Sequence, residues 1–348
     1  MGFTVILASG LPLHRETSFK RQLQLLGRAL SAAGTEVFLT GPDLYESARA
    51  RDGVSSAILL GYHDQFDFLN DDTGFPLLLW AQLSRPVDTG AFGKAVPVPI
   101  TPVSKMFLKE SKVGRIGPVI PHGIDTTVFS PFSHEERNTV RKRFGFGKEF
   151  VVGAVAANTR RKRLDLVIEA FARFHRRFGD AVLLIKTDRM VGLDGTDLRT
   201  LAEAQGVRHE VKILEGSFDE GRMAAVYNSM DLYLTLSEWE GFCIPVIEAM
   251  ACGVPVVTHR VQGPGEIVPY DDLLVPGSEE SYEEGTKLAT ADPDAAAEVL
   301  LRAYESGTLK NLGADGREVA VERYDIRKVV LQWIALIRNV SGREGISW

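Results

Sequence analysis

Glu240 and Glu248 stand eight positions apart in SEWEGFCIPVIEAMACGVPVV, residues 237 to 257, around a Gly, a Pro and a short apolar run. Pro245 suits the first turn of a helix and Gly253 the residue just past its end, so a helix is expected from about Phe242 to Cys252. Glu240 then precedes the helix and Glu248 lies inside it. Gly241 lets the backbone approach a ligand. The amides of Gly241, Phe242, Cys243 and Ile244 at the helix start form a site for anions and hydroxyls, with the positive end of the helix dipole behind them. A carboxylate ahead of that turn can accept hydrogen bonds from sugar hydroxyls, and one two turns into the helix can hold another diol.

A second constellation is AANTRRKRLDLVIEAF, residues 156 to 171, in which a polar turn with four consecutive basic residues leads from a strand into an amphipathic helix. Cations at the top of a parallel strand can neutralise a diphosphate and stabilise charge that builds on it. A third is ASGLPLHRETSFKRQ at the end of the first strand, where Gly10 can let the backbone approach a phosphate or an acceptor. His63 in GYHDQF, Gln82 in LLLWAQLS and His122 in IPHGID are polar candidates near other strand ends.

The elements that must position these residues are legible as a rhythm. FTVILAS reads as a buried strand and is followed by a helical pattern from Ser18 to Ala33, with Phe19, Leu23, Leu26 and Leu30 on one face. EVFLT, SSAILLG, PLLLWA and AVPVPITP then recur as short apolar runs between polar turns. Strands that alternate with helices and lack period-two amphipathicity imply a parallel sheet covered on both faces. The rhythm breaks at VIPHGIDTTVFSPFSHEERNTVRKRFGFGKEF and restarts with FVVGAVAA, so a first domain is expected over 1–148 and a second over 149–325. In the last segment, 326–348, Val329, Val330, Trp333, Ile334 and Ile337 share a helical face, which is expected to dock back towards the first domain. The fold class is α/β, with two doubly wound Rossmann-like sheets, each offering a ligand crevice beyond the carboxyl ends of its strands.

Composition narrows the function. At 348 residues with 45% apolar content the chain is long enough for two cores, and none of its apolar runs approaches the roughly 20 residues that span a bilayer. The net charge of −6 hides an asymmetry: residues 1–148 carry 17 Lys+Arg against 14 Asp+Glu, whereas the remainder carries 23 against 32. The first half can therefore face anionic material such as a membrane surface, and the basic, partly amphipathic SKMFLKESKVGR is the segment suited to it. No basic stripe with interleaved aromatics supports nucleic acid binding. Two cysteines, Cys243 and Cys252, suggest a reducing cytoplasm rather than a disulfide framework. No G-x-G-x-x-G follows a strand, which disfavours a nicotinamide dehydrogenase; no Cys/His spacing suggests zinc, and DPD at 292–294 reads as a helix cap rather than a metal site.

The whole run EGFCIPVIEAMACGVPVV resembles the E-x7-E signature of the retaining GT-B glycosyltransferases, similar to glycosyltransferase family 4, which move sugars from nucleotide diphosphate donors. LTLS before the run, QGPGEIV with Glu266 after it, and VIPHGIDTTVFSP at the exit from the first domain match the same family. The resemblance covers the second domain almost throughout and the first only in rhythm. It implies two domains facing a central cleft, a nucleotide diphosphate sugar as donor substrate, an acceptor hydroxyl, retention of configuration, and no metal or other cofactor. Glu248 would bind the ribose hydroxyls, Glu240 those of the transferred sugar, and the amides after Gly241 sugar and diphosphate oxygens. Aligning on DLVIEAF puts Lys162 at the family's diphosphate lysine. The family's arginine position falls on Ala156 or Ala157, so Arg161, or Arg160, would substitute, with Asn158 lining the turn. The resemblance raises Gly10 as part of the acceptor and phosphate region. A nucleotide-sugar epimerase or phosphorylase on the same fold, or a nonenzymatic nucleotide-sugar-binding protein, would share the ribose contact.

Overall fold

The computed structural model describes residues 3–12, 17–41, 51–283 and 285–342, and resolves them into two compact units: residues 1–125 with 323–348, and residues 126–322. The first unit holds a parallel five-stranded sheet of β1 (Thr4–Ser9), β2 (Glu36–Thr40), β3 (Ser56–Gly61), β4 (Leu77–Ala81) and β5 (Val96–Pro99), in the order β2-β1-β3-β4-β5. Every residue of β3 and β4 is buried, as expected of parallel strands covered on both faces. Helix α1 (Ser18–Ala32) starts where the Thr17 hydroxyl accepts the Lys20 amide at 3.1 Å, and buries Leu23, Leu26 and Leu30. Helix α2 (Pro102–Glu110) follows β5, capped by Thr101, and leaves Met106 exposed.

The C-terminal helix, Ile326–Val340, belongs to this first unit and lies against α1. It buries Val329, Val330, Trp333, Leu336 and Ile337, with the Trp333 ring edge-on to Trp80 at 5.2 Å. Gln22 clamps Gly123 in both directions, accepting its amide and donating to its carbonyl, while Ile124 pairs with the chain at Asp325.

The second unit holds a parallel six-stranded sheet of β6 (Phe150–Val155), β7 (Ala181–Thr187), β8 (Val211–Glu215), β9 (Leu232–Leu234), β10 (Val256–His259) and β11 (Leu274–Val275), ordered β11-β10-β9-β6-β7-β8. The direction of winding reverses between β6 and β9, which makes the crevice beyond their carboxyl ends the expected ligand site. Its helices include α3 (His134–Arg143), α4 (Leu164–Phe178), α5 (Leu198–Ala204), α6 (Glu220–Asn228) and α7 (Ile244–Ala251). An antiparallel hairpin unforeseen in the sequence, β12 (Glu279–Glu283) with β13 (Thr286–Thr290), follows β11. Asp292 caps the next helix through the Asp294 amide, as the DPD spacing suggests.

The division between the units falls at residue 125 rather than near 148. The reason is electrostatic: Arg137 and Arg141 on α3 bind Asp231 at 2.6 and 3.0 Å, and Asp231 also accepts the Val151 amide at the start of β6. Residues 134–143 are thereby fixed to the second sheet. The return to the first unit begins at Arg323, a few residues ahead of the expected 326.

Candidate active site

The site grows from three turns at the carboxyl edge of the second sheet. The first leaves β6, passes through Ala156, Ala157 and Asn158, makes a single 3₁₀ turn over Arg160–Lys162, and enters α4. Arg163 at that entry is left-handed, with φ 47° and ψ 47°, a conformation unfavourable for a side chain with a Cβ. What holds it is a fork of contacts: Arg163 binds Asp165 through two nitrogens at 2.9 and 3.0 Å and Glu238 at 2.7 Å.

The second turn runs from Ser237 to Cys243 after β9. Its backbone is tied from every side: the Glu238 amide donates to the Arg161 carbonyl at 2.8 Å, and the Glu238 carbonyl accepts the Ala289 amide of β13 at 2.9 Å. His259, at the end of β10, places Nε2 2.9 Å from the Ser237 carbonyl and Nδ1 2.8 Å from the Ser278 hydroxyl. Gly263, left-handed at φ 83°, lies so close that a Cβ there would come within 2.7 Å of the Phe242 carbonyl oxygen. The loop is therefore fixed before any ligand arrives.

Glu240 is the centre of this turn. Its carboxylate is buried and bound on both oxygens: Arg161 donates to Oε2 at 2.8 Å and Lys162 to Oε1. The Arg161 guanidinium also reaches the Trp239 carbonyl at 3.1 Å and lies 4.8 Å over the Trp239 ring. Burial alone would raise the Glu240 pKa, but the adjacent Lys162 and Arg161 charges outweigh it and hold the carboxyl at about 2.

The third element is α7, which begins at Ile244, two residues later than expected, because Cys243 is left-handed at φ 77° and serves as the N-cap. Gly241 and Phe242 precede it as loop, and Pro245 occupies the first turn as its fixed φ favours. Burial, followed by the charge of Glu240, pushes the Cys243 thiol up to about 12. Glu248, one turn on and half-buried, accepts a hydrogen bond from the Tyr227 hydroxyl of α6 at 2.6 Å. Tyr227 and Tyr233 are fully buried edge-on to each other at 6.0 Å, and the Tyr233 phenol, raised first by burial, feels both Glu240 and Glu248. The two carboxylates thus flank one buried centre at the β6/β9 switch point.

Within the second unit the structure therefore gathers Glu240, Lys162, Arg161, Gly241, Phe242, Cys243, Ile244 and Glu248 around the two turns and the start of α7. Asn158 has a different employment: its side-chain amide donates to the Met190 and Thr196 carbonyls at 2.9 and 3.0 Å, and its backbone amide to Asp188. Both side-chain hydrogens are used in anchoring the 188–196 loop, so Asn158 shapes the turn instead of offering donors to a ligand. Gly10 lies in the first unit, at the carboxyl end of β1, where a Cβ would come within 2.4 Å of Gln65 Oε1. Its smallness is needed by Gln65, which accepts the Tyr62 amide at 2.9 Å.

In that unit Gln82 and His122, candidates drawn separately from the sequence, are partners, with the Gln82 amide 3.1 Å from His122 Nε2. Burial lowers the His122 pKa to about 3, so the ring is neutral. His63 sits in a short turn after β3 beside Phe92 at 5.8 Å. Sequence reasoning missed Tyr227, the Arg163–Glu238 pair and His259. Only the position of His259 at a strand end could have signalled it. Among the described residues no group of three or more His, Cys, Asp or Glu is placed to hold a metal ion, and no helix is long and apolar enough to cross a membrane.

Two parallel α/β sheets with a charged, preformed crevice beyond one of them define a GT-B fold, and solved structures agree. Sucrose-phosphate synthase from Thermosynechococcus elongatus superposes with a TM-score of 0.81 over 98% of this chain and 100% of its own at 18% identity. Anabaena HepE, in complex with UDP and glucose, does so with 0.75 over 96% and 99% at 14% identity. Residues 136–311 match the family of glycosyl transferases group 1, and the chain belongs to that family. Among curated relatives, MMP alpha-(1->4)-mannosyltransferase of Mycolicibacterium hassiacum is 29% identical over 65% of this chain and 49% of its own length. N-acetyl-alpha-D-glucosaminyl L-malate synthase of Bacillus anthracis is 28% identical over 58% and 49%. The matched stretch spans about half or less of the length of the curated relatives.

Proposed function

We propose that this glycosyltransferase moves a hexose from a UDP- or GDP-sugar to an acceptor hydroxyl with retention of configuration and without a divalent metal. Lys162 and Arg161 receive the diphosphate, Glu240 orients them and accepts hydroxyls of the sugar, the backbone from Gly241 to Ile244 contacts sugar and phosphate oxygens, and Glu248 accepts the ribose hydroxyls. The bond from the anomeric carbon to the diphosphate breaks, the acceptor oxygen takes its place on the same face, and the acceptor proton passes to the departing phosphate oxygen. No side chain need serve as a separate base, because the two cations stabilise the charge that develops on the leaving group.

The observation that carries this reading is the convergence of Lys162 and Arg161 on buried Glu240 at the switch point of the second sheet. A cationic pair held in place before the reaction costs no reorganisation during it. The mannosyltransferase relative and the UDP complex of the HepE neighbour are consistent with such a donor. The acceptor is a saccharide, a lipid-linked species or a small molecule, and the reaction is cytoplasmic. The exposed cations Lys109, Lys112 and Arg115, which follow exposed Met106 in the chain, support peripheral contact with an anionic membrane face.

The test is a thermal-shift screen of UDP, GDP, ADP and their sugars. A cognate nucleotide raises Tm in the wild type, does so in Glu240→Ala, and fails to do so in Glu248→Ala, while Glu240→Ala loses transfer. Wild-type transfer rates in both variants would remove the basis of the assignment.

A further inference from the structure

Resting on the reading that Glu248 holds the ribose, we propose that Tyr227 is a positioning residue for nucleotide recognition, fixing the Glu248 carboxylate in the orientation that meets the ribose diol. Glu248 is half-buried on α7, a helix whose other side chains at Val246, Ile247, Ala249 and Met250 are buried and apolar. A glutamate has three side-chain torsions, and fixing its carboxylate in one orientation takes contacts made at the carboxylate itself. The Tyr227 hydroxyl removes that freedom, donating to Oε2 at 2.6 Å, the short distance of a charge-assisted bond.

Tyr227 itself has nowhere to go. It is wholly buried on α6, with the Phe129 ring edge-on at 6.2 Å and Tyr233 at 6.0 Å. Tyr233 is anchored in turn by its hydroxyl bond to the Val155 carbonyl at the end of β6, 3.2 Å away. A chain of contacts therefore runs from the strand that launches the Arg161–Lys162 turn, through Tyr233 and Tyr227, to Glu248. Burial, then Glu248, raises the Tyr227 pKa well above 10, so the phenol stays a donor across the working range. The direction of the bond is fixed, and with it the face of the carboxylate that Tyr227 occupies. A phenol committed to the fold alone would be satisfied equally well by a backbone carbonyl, as Tyr233 is.

The test compares, by calorimetry on the full chain, binding of UDP and GDP with that of their 2′,3′-dideoxy counterparts. In the wild type the better of the two nucleotides is expected to bind at least about tenfold more tightly than its dideoxy form, the size of a hydrogen bond to a charged group. Glu248→Ala should abolish that ratio. Tyr227→Phe should shrink it to less than about threefold while binding of the dideoxy form stays close to wild type. In the Glu248→Ala background, Tyr227→Phe should change nothing further, since the two act through one contact.

A wild-type ratio in Tyr227→Phe, with the ratio lost in Glu248→Ala, would overturn the inference and leave the ribose reading standing. A ratio retained in Glu248→Ala, or binding of neither nucleotide, would overturn the ribose reading and this inference with it. Should Tyr227→Phe not fold, the double variant Tyr227→Phe/Glu248→Ala decides: its folding ties the hydroxyl to the carboxylate and supports the inference. Failure of both assigns Tyr227 to the core and overturns it.

Discussion

The carboxyl edges of the two sheets hold different kinds of side chain on the same strand-and-helix plan. In the first unit two of the described polar groups at this edge are uncharged: His122 is held neutral against Gln82, and Gln65 fills the space that Gly10 and Gly61 leave open. In the second, four charged side chains, Arg161, Lys162, Arg163 and Glu240, lie within one pair of facing turns, and Glu238 joins them. Uncharged groups of this kind recognise a ligand by hydrogen bonds alone, whereas a charged and rigid pair of turns suits an anion. The sheet supplies the crevice, and the loop residues decide which chemistry it takes.

The sharpest way to break this contrast is Lys162→Ala. It leaves the buried Glu240 carboxylate with Arg161 alone, and is expected to destabilise the second unit by about 3 kcal/mol in urea unfolding while reducing transfer by more than about a hundredfold. Lys162→Ala/Glu240→Gln should recover most of the stability and none of the transfer. Next in size is Glu248→Ala, which should remove the roughly 2.7 kcal/mol that a nucleotide at a hundred times its Kd adds to folding, read as the loss of a ligand-dependent rise in Tm.

Acid should separate the two units. His122, neutral in the fold with a pKa of about 3 against an ordinary 6.5, costs the first unit stability progressively as pH falls below about 6.5, because the unfolded chain takes up the proton first. Glu240, held at about 2 against an ordinary 4.5, contributes stability that is intact above 4.5 and is lost as pH falls through 2. Hydrogen exchange should therefore show the first unit loosening at the higher pH, and His122→Gln should abolish that earlier step. Simultaneous loosening of both units in the wild type would contradict the contrast.

The smallest effect expected is that of Arg163→Gly. Relief of the left-handed backbone and loss of the Asp165 and Glu238 ion pairs oppose each other, so the net change in Tm should correspond to about 1 kcal/mol or less.

Much of this architecture is written in local pattern. The alternation of apolar runs with helical periodicity identifies both parallel sheets, and the Glu240 and Glu248 spacing with the basic turn locates the second crevice. What escapes is whatever depends on partners distant in sequence. α3 looks like the tail of the first domain until Arg137 and Arg141 are seen on Asp231, nearly a hundred residues away. The later start of α7 follows from the left-handed backbone of Cys243, which no side-chain pattern announces. Asn158 reads as a turn residue open to a ligand because the loop that consumes its amide lies some thirty residues on. Tyr227 is silent for the opposite reason, since a tyrosine on an apolar helix face looks like ordinary core.

The inclusion of Ile326–Val340 in the first unit has a consequence for biosynthesis. Trp333 completes the packing around Trp80, yet it is translated after all of residues 126–322. The later-made second unit, continuous in the chain, can reach its native form on the ribosome while the earlier-made first unit still waits for its last helix. Completion of the two cores thus runs against the order of synthesis, and a chain cut short before Ile326 would carry the whole of residues 126–322 while the first unit still lacked the helix that covers Trp80.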